Sequence, residues 1–240
     1  MSIKTRLVDY RDGDLVCEGM LAWDGNVAGP RPGVIVAHTI RGRSQFEECK
    51  AELLAEMGYA GFAIDVYGKH AMGGEFDDCR RIMESLRNER AVLQRRLLRA
   101  LQTLRGQAEV DASRLAAIGY CFGGLCVLDI ARTGQPLAGV VSFHGLFDPP
   151  GNTAGNRIQA RVLALHGWDD PLATPAQAVA LGEELSSMGA DWQLHCYGNV
   201  RHAFTNPAAD ASTGVTVYNE AADRRSWAAA QYFLSELFDT

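Results

Sequence analysis

The sequence predicts an α/β fold built on a mostly parallel, doubly wound sheet with helices on both faces. Short apolar runs alternate with longer helical patterns along the 240 residues, which is typical of parallel strands joined by right-handed crossovers. The runs are apolar almost throughout, as in strands that are covered on both faces. A chain of this length fits one such domain, so we predict a single domain over residues 1–240.

The first predicted element is an antiparallel hairpin. Residues 5–9 and 14–23 are separated by Arg11-Asp12-Gly13, which favours a tight reversal at one edge of the sheet. Six further strands are predicted at residues 34–38, 61–65, 115–119, 140–144, 162–166 and 193–197. Because ligands bind at the carboxyl ends of strands in such sheets, catalytic side chains should directly follow strands.

Helical spacing of apolar residues predicts five helices between these strands, at residues 44–57, 84–105, 122–133, 175–188 and 219–238. Ser44 and Glu47 form the pattern of a capping box, and Gly58 follows the last turn of the same helix. Eight arginines fall between positions 80 and 105. Leucines recur there at helical spacing, so we interpret the arginines as the solvated face of an amphipathic helix.

Composition argues against several classes of partner. A net charge of −6 disfavours nucleic acid, and the longest apolar stretches are far too short to cross a bilayer. The N-terminus lacks the apolar segment of a secretory signal. The six cysteines are scattered, without the spacing of a disulfide framework or a zinc site. We therefore expect free thiols in a cytoplasmic protein with no metal and no cofactor; a monomer and a homodimer both remain open.

The strongest chemical signal is Gly119-Tyr120-Cys121-Phe122-Gly123-Gly124, which lies between a predicted strand and a predicted helix. This is the G-x-S-x-G nucleophile elbow with cysteine in place of serine. A thiolate at Cys121 would be favoured by the helix N-terminus, and the Phe122 N–H would point at a developing oxyanion. The competing interpretations are a phosphate-binding turn, which lacks the P-loop lysine, and a tight turn with a buried cysteine.

An elbow nucleophile needs an acid and a histidine, in that chain order. The strand at residues 162–166 runs into Gly167-Trp168-Asp169-Asp170, where both aspartates are candidates, and we favour Asp170 because it fits the pattern H-G-x-x-D. His202 lies in the loop after the last strand and is the predicted base. A lone loop histidine is usually exposed surface, but its place in the order favours catalysis. We interpret His166 as a satisfied core histidine.

These residues resemble the dienelactone hydrolase family of α/β-hydrolases. The resemblance covers nearly the whole chain: the hairpin start, the strand ending at His38, the G-x-C-x-G-G elbow, the H-G-x-x-D turn and the R-H-x-F loop. It implies an α/β-hydrolase fold and a triad of Cys121, His202 and Asp170. It also implies that the backbone N–H of Ile40 is a second oxyanion donor beside that of Phe122.

The chain departs from the family pattern at two positions. The family has a glutamate after the first central strand, where this chain has Thr39, and dienelactone-cleaving members have an arginine where this chain has Asn206. A neutral amide cannot replace a charged bidentate clamp on a substrate carboxylate, so another substrate is expected. The other predicted pocket residues are His38, Tyr67, Met72, Phe76 and His144. Because His38 and His144 each end a strand, they could line the crevice or equally be satisfied core histidines.

The predicted function is hydrolysis of carboxylic ester or lactone bonds through a cysteine acyl-enzyme. Aromatic and methionine side chains in the predicted pocket favour small apolar or aryl substrates. The same oxyanion hole would accept a phosphoryl oxygen, which predicts promiscuous phosphotriester hydrolysis. The alternatives are a thioesterase and a non-catalytic ligand-binding or redox-sensing protein that uses a reactive Cys121.

Overall fold

The computed structural model describes residues 1–238, and its chain divides into two compact units after Ile118. Eight strands form a mostly parallel sheet with helices, so the predicted α/β-hydrolase fold is confirmed. Within residues 1–238, no helix is both long enough and apolar enough to cross a bilayer. The interpretation as a single domain stays a prediction.

The first unit begins with the predicted hairpin of β1 (Ile3–Asp12) and β2 (Leu15–Asp24), paired antiparallel from Ile3 opposite Asp24 to Asp12 opposite Leu15. Strands β3 (Arg31–Ala37) and β4 (Ala60–Ala63) are parallel, with Val34 opposite Gly61. The fifth strand, β5 (Val110–Tyr120), completes the order β1-β2-β4-β3-β5. The hairpin therefore lies at one edge, as predicted.

Helix α1 (Gln45–Glu56) has the predicted capping box, in which the Ser44 and Glu47 side chains each bond to the other's backbone. The predicted helix over residues 84–105 is wrong in its bounds. Two helices, α2 (Phe76–Asn88) and α3 (Arg90–Arg105), meet at Glu89, which has non-helical dihedrals (φ −111°, ψ 59°). Because the apolar periodicity continues through this junction, the pattern could not locate the break.

The arginines of α3 are only partly a solvated face, so this interpretation was incomplete. Arg95 forms a bidentate pair with Asp12, and Arg96 donates to the Val66 carbonyl at 2.7 Å. Arg90 is buried. The carboxylate that holds these side chains comes from the distant hairpin, a pairing that no local pattern of α3 encodes.

The second unit contains the remaining parallel strands. These are β6 (Gly139–Phe143), β7 (Arg161–Gly167) and β8 (Trp192–Tyr197), in the order β6-β7-β8, with Val140 opposite Val162. Its helices are α4 (Phe122–Arg132), α5 (Pro175–Ser187) and α6 (Glu220–Phe238). All residues of α4 are buried, which fits a helix that follows a strand into the core.

Candidate active site

Cys121 occupies a strained turn between β5 and α4. Its backbone has φ 57° and ψ −117°, a region that residues with a side chain rarely adopt and that clusters at functional sites. The neighbouring glycines are sterically required: a Cβ on Gly119 would lie 2.0 Å from the Gly123 carbonyl oxygen, and one on Gly124 would lie 2.6 Å from Gly145 Cα. The turn therefore has the sharpness expected of a nucleophile elbow.

The turn also places Cys121 at the N-terminal end of a helix. Phe122 is the first residue of α4, so its N–H lies at the positive end of the helix dipole. Cys121 is partly exposed, whereas Phe122 is fully buried. A partly exposed cysteine therefore lies beside backbone amides that favour negative charge.

Asp170 and His202 form a buried pair within the second unit. The Asp170 Oδ2 atom lies 2.7 Å from His202 Nδ1, and both residues are 1 % exposed. The other carboxylate oxygen accepts the N–H of Leu172 at 2.8 Å, which fixes its rotamer. Asp169 is exposed. The geometry thus favours Asp170 over Asp169 as the partner of the histidine.

His202 interacts on its other side with Cys121. Burial lowers the pKa of His202, while the charge of the Cys121 thiolate and hydrogen bonds to Asp170 and Cys121 raise it, and together they raise the pKa to about 10. Nε2 is buried and forms no hydrogen bond of normal geometry with residues 1–238, so the main effect of Cys121 on this ring is the attraction of its negative charge. At neutral pH this arrangement favours a thiolate–imidazolium pair over a neutral thiol and imidazole.

His144, for which a pocket role and a core role were both open, is buried beside the elbow. Its Nδ1 accepts the Cys121 N–H at 3.1 Å, and its Nε2 lies 2.8 Å from Thr205 Oγ1. The ring is 1 % exposed, and its centroid lies 5.2 Å from that of His202. Sequence reasoning missed Thr205, because no motif marks a threonine three positions after the histidine.

His166 is buried, as predicted, but it is not satisfied. Neither ring nitrogen has a hydrogen-bond partner in the described part of the chain. Burial lowers its pKa, with smaller opposing effects from Asp170, which raises it, and from His202, which lowers it. The ring centroid lies 5.0 Å from that of Phe147. A neutral imidazole therefore packs in the interior near the buried pair.

The remaining first-unit residues at the end of β3 are held by local hydrogen bonds. His38 Nε2 accepts the Val66 N–H at 3.2 Å, so its Nδ1 donates to the Thr39 carbonyl at 2.7 Å. The Thr39 N–H donates to Glu47, and the Tyr67 hydroxyl donates to the Ile40 carbonyl at 3.1 Å. Both nitrogens of His38 are thus occupied, and the pocket and oxyanion roles predicted for this segment stay predictions.

The other predicted pocket side chains also have local partners. Met72 Sδ accepts from Arg43 at 2.9 Å, and the guanidinium of Arg41 lies 5.5 Å from the centroid of the half-exposed Phe76 ring. The Asn206 side-chain oxygen accepts the Ala208 N–H at 3.0 Å. Of these three, Phe76 offers an exposed apolar face. Residues 1–238 contain no group of three or more His, Cys, Asp or Glu side chains that could hold a metal ion.

The chain is similar in sequence and in structure to known hydrolases. The profile of the dienelactone hydrolase family matches residues 17–238. The crystal structure of a dienelactone hydrolase-like promiscuous phosphotriesterase from metagenomic libraries superposes with a TM-score of 0.93 at 39% identity, covering 99% of this chain and 100% of that one.

Two relatives are similar in sequence. Protein K02A2.1 of Caenorhabditis elegans is 35% identical over 150 residues, which is 61% of this chain and 94% of that protein. A Bradyrhizobium protein named as a probable 2-oxo-3-(5-oxofuran-2-ylidene)propanoate lactonase is 26% identical over 225 residues, 88% of this chain and 89% of its own length. With a profile match over most of its length, the chain belongs to the dienelactone hydrolase family.

Proposed function

We propose that the chain hydrolyses carboxylic esters or lactones of small apolar or aryl substrates through an acyl-enzyme on Cys121. The observation that supports this most directly is the position of His202. It is bonded to buried Asp170 at 2.7 Å, and its pKa is raised by the neighbouring Cys121. We assign to these three residues the nucleophile, the base and the orienting carboxylate that acyl transfer requires.

In the first step, the Cys121 thiolate attacks the carbonyl carbon and the C–S bond forms. The Phe122 N–H stabilises the oxyanion, and the resemblance assigns the second donor to Ile40. When the tetrahedral intermediate collapses, the C–O bond to the leaving group breaks. The departing alkoxide takes the proton of the His202 imidazolium, which leaves a thioester and a neutral imidazole.

In the second step, water hydrolyses the thioester. Neutral His202 removes a proton from the water as it attacks the acyl carbon, and Asp170 stabilises the imidazolium that forms. The C–S bond then breaks, which releases the carboxylic acid and returns the Cys121 thiolate beside protonated His202. The cycle therefore begins and ends with the same ion pair.

The relatives support the substrate class and a side activity. One is named as a probable lactonase, and one solved structure is that of a promiscuous phosphotriesterase. We include phosphotriester hydrolysis in the proposal, with Cys121 attacking phosphorus and expelling an aryloxide. The phosphorylated thiol must then be released by water, so this activity should show a burst of aryloxide followed by slower turnover.

The decisive test is turnover of p-nitrophenyl acetate by the wild type, Cys121→Ala and His202→Ala, with mass detection of an acetyl group on Cys121. Loss of turnover in both variants and an adduct on the wild type support the proposal. Equal slow rates in all three proteins contradict it and leave a binding or redox-sensing role. A parallel panel of lactones and acyl-thioesters separates an esterase or lactonase from a thioesterase.

The proposal includes a cytoplasmic location and a small-molecule substrate. All six cysteines are free thiols, which suits a reducing compartment. The net charge of −6 is unfavourable for nucleic acid binding. Fractionation with activity assays of each compartment tests the location.

A further inference from the structure

His144 connects the turn that carries the nucleophile to the loop that carries the base. It follows β6 directly and has φ 37°, a left-handed backbone conformation that is unfavourable for histidine. The N–H of Cys121 donates to its Nδ1 at 3.1 Å, and also to the Phe143 carbonyl at 3.0 Å. The strained backbone of Cys121 is therefore held from two sides at its amide.

The contacts of His144 define its tautomer. A backbone N–H can only donate, so Nδ1 must be unprotonated to accept the proton of the Cys121 amide. The neutral ring then carries its proton on Nε2, which donates to Thr205 Oγ1 at 2.8 Å. Both nitrogens of a ring that is 1 % exposed are thus occupied, and neither is available to a substrate.

The other end of this connection is the loop of the base. Thr205 is three residues after His202 and is itself 2 % exposed. Ala203, between them, has φ 57°, and Phe204 packs edge-on against the His144 ring with centroids 5.0 Å apart. This loop thus also contains a residue with positive φ, Ala203, and His144 is hydrogen-bonded to Thr205, two positions after it.

We propose that His144 is a positioning residue that, through Cys121 N–H and Thr205 Oγ1, sets the separation of the Cys121 sulfur and the His202 imidazole. This inference rests on the proposed function and adds to it. The physical reason is that the turns at Cys121 and Ala203 belong to separate segments of the chain. Neither turn by itself fixes the distance between the Cys121 sulfur and the His202 imidazole. A rigid ring hydrogen-bonded to both limits their relative motion, and proton transfer requires that the sulfur and the imidazole stay within hydrogen-bond reach.

The experiment is a double-mutant cycle of His144→Phe and Thr205→Val, with His144→Asn and Thr205→Ser as conservative variants. Phenylalanine keeps the ring without hydrogen bonds, and valine keeps the shape of threonine without the acceptor. We expect His144→Phe to lower kcat by roughly 100-fold and Thr205→Val by roughly 10-fold, with KM within about twofold, because misplaced catalytic groups cost rate. Asparagine, which can still accept from the Cys121 amide, should recover part of kcat, and serine should recover most of it.

Two readouts separate positioning from a general structural role. The double variant should be no slower than His144→Phe, because both changes break one connection. The pH midpoint of Cys121 alkylation by iodoacetamide should move upward in both single variants, because His202 no longer stabilises the thiolate as well. Multiplicative losses in kcat, or an unchanged midpoint in folded variants, would overturn the inference.

The outcomes also separate this inference from the proposed function. If Cys121→Ala and His202→Ala keep the wild-type rate, the proposed function fails. If those two variants are inactive but Thr205→Val retains wild-type kcat and alkylation, only the positioning role of His144 fails. Circular dichroism monitors folding. If His144→Phe does not fold, the positioning role of His144 is tested by comparing kcat and the alkylation midpoint of Thr205→Val with those of Thr205→Ser.

Discussion

The carboxylate of Asp170 lies 2.7 Å from Nδ1 of His202, and the two side chains are 0 % and 2 % exposed. Such a contact fixes one imidazole tautomer and orients Nε2 away from the acid, toward the nucleophile. The second carboxylate oxygen is held by the Leu172 N–H, so the acid itself has little freedom.

Replacing Asp170 with asparagine should nearly abolish esterase activity while leaving the fold intact. The amide keeps the size of the side chain but removes the charge that stabilises the imidazolium and favours the opposite tautomer, so kcat should fall by roughly 10³- to 10⁴-fold. Asp169→Asn is the matched control, because Asp169 is exposed and lies one residue away. Steady-state hydrolysis of p-nitrophenyl acetate measures both. Similar losses in the two variants would contradict the assignment of Asp170.

Cys121 should be alkylated rapidly over a wide range of pH. Because the pKa of His202 is raised from 6.5 to about 10, the imidazolium persists through neutral pH and is lost only as the pH approaches 10. Below that point its charge stabilises the thiolate, so the rate of iodoacetamide labelling should stay nearly flat from about pH 6 to 9.

The matched variant for this titration is His202→Gln, which keeps a polar side chain without the charge. Its labelling should rise with pH around an ordinary thiol pKa of about 8.5. Mass spectrometry of the labelled peptide identifies Cys121 among the six cysteines. A wild-type curve that also rises near this pH would remove the ion pair from the mechanism.

Gly124 should not tolerate alanine. A Cβ there would lie 2.6 Å from both the Gly145 Cα and the Ser142 Oγ, and the backbone atom cannot move aside cheaply. Overpacking of this kind typically destabilises a protein by about 1–3 kcal/mol. Gly198→Ala is the control, because a Cβ at Gly198 meets no atom within 4 Å. Thermal unfolding monitored by circular dichroism compares them, and equal melting temperatures would mean that the elbow adjusts more easily than the contacts imply.

The sequence alone predicts those features of the fold and the site that are encoded in a short segment of the chain. The elbow is encoded within six residues, from Gly119 to Gly124, and the hairpin by its turn, so both could be predicted. The choice of Asp170 depended on a short motif after a strand. The junction at Glu89 could not be predicted from the apolar periodicity, because the spacing of buried residues in α2 continues unchanged into α3.

Contacts between distant segments that belong to no recognised motif were beyond prediction. The end of a strand left both a pocket role and a core role open for His144, and its partners Cys121 and Thr205 are 23 and 61 residues away. The same holds for Arg95, whose partner Asp12 is 83 residues away. Where no motif links two segments, a single sequence shows which side chains can form such bonds and not which ones meet.

Arg132 should be important for stability although it is not in the proposed triad. It is fully buried in α4, donates to Glu184 through Nε at 2.9 Å and Nη2 at 2.6 Å, and lies 3.3 Å from buried Asp129. It also donates to the Phe147 carbonyl at 3.1 Å. Its removal leaves the Asp129 carboxylate buried without this cation.

Replacing Arg132 with methionine should therefore lower the free energy of unfolding by about 3–5 kcal/mol, the typical cost of breaking a buried ion pair from one side. Arg161→Met is the control, because its pair with Glu236 at 3.0 Å is 44% exposed on both sides and should contribute at most about 1 kcal/mol. The double variant Asp129→Asn, Arg132→Met should recover part of the loss, since it also removes the buried negative charge that Arg132 balances. Urea unfolding at neutral pH measures all of them. If the double variant were clearly less stable than Arg132→Met alone, the explanation by charge would be wrong. The loss in Arg132→Met would then come from the packing of the arginine side chain.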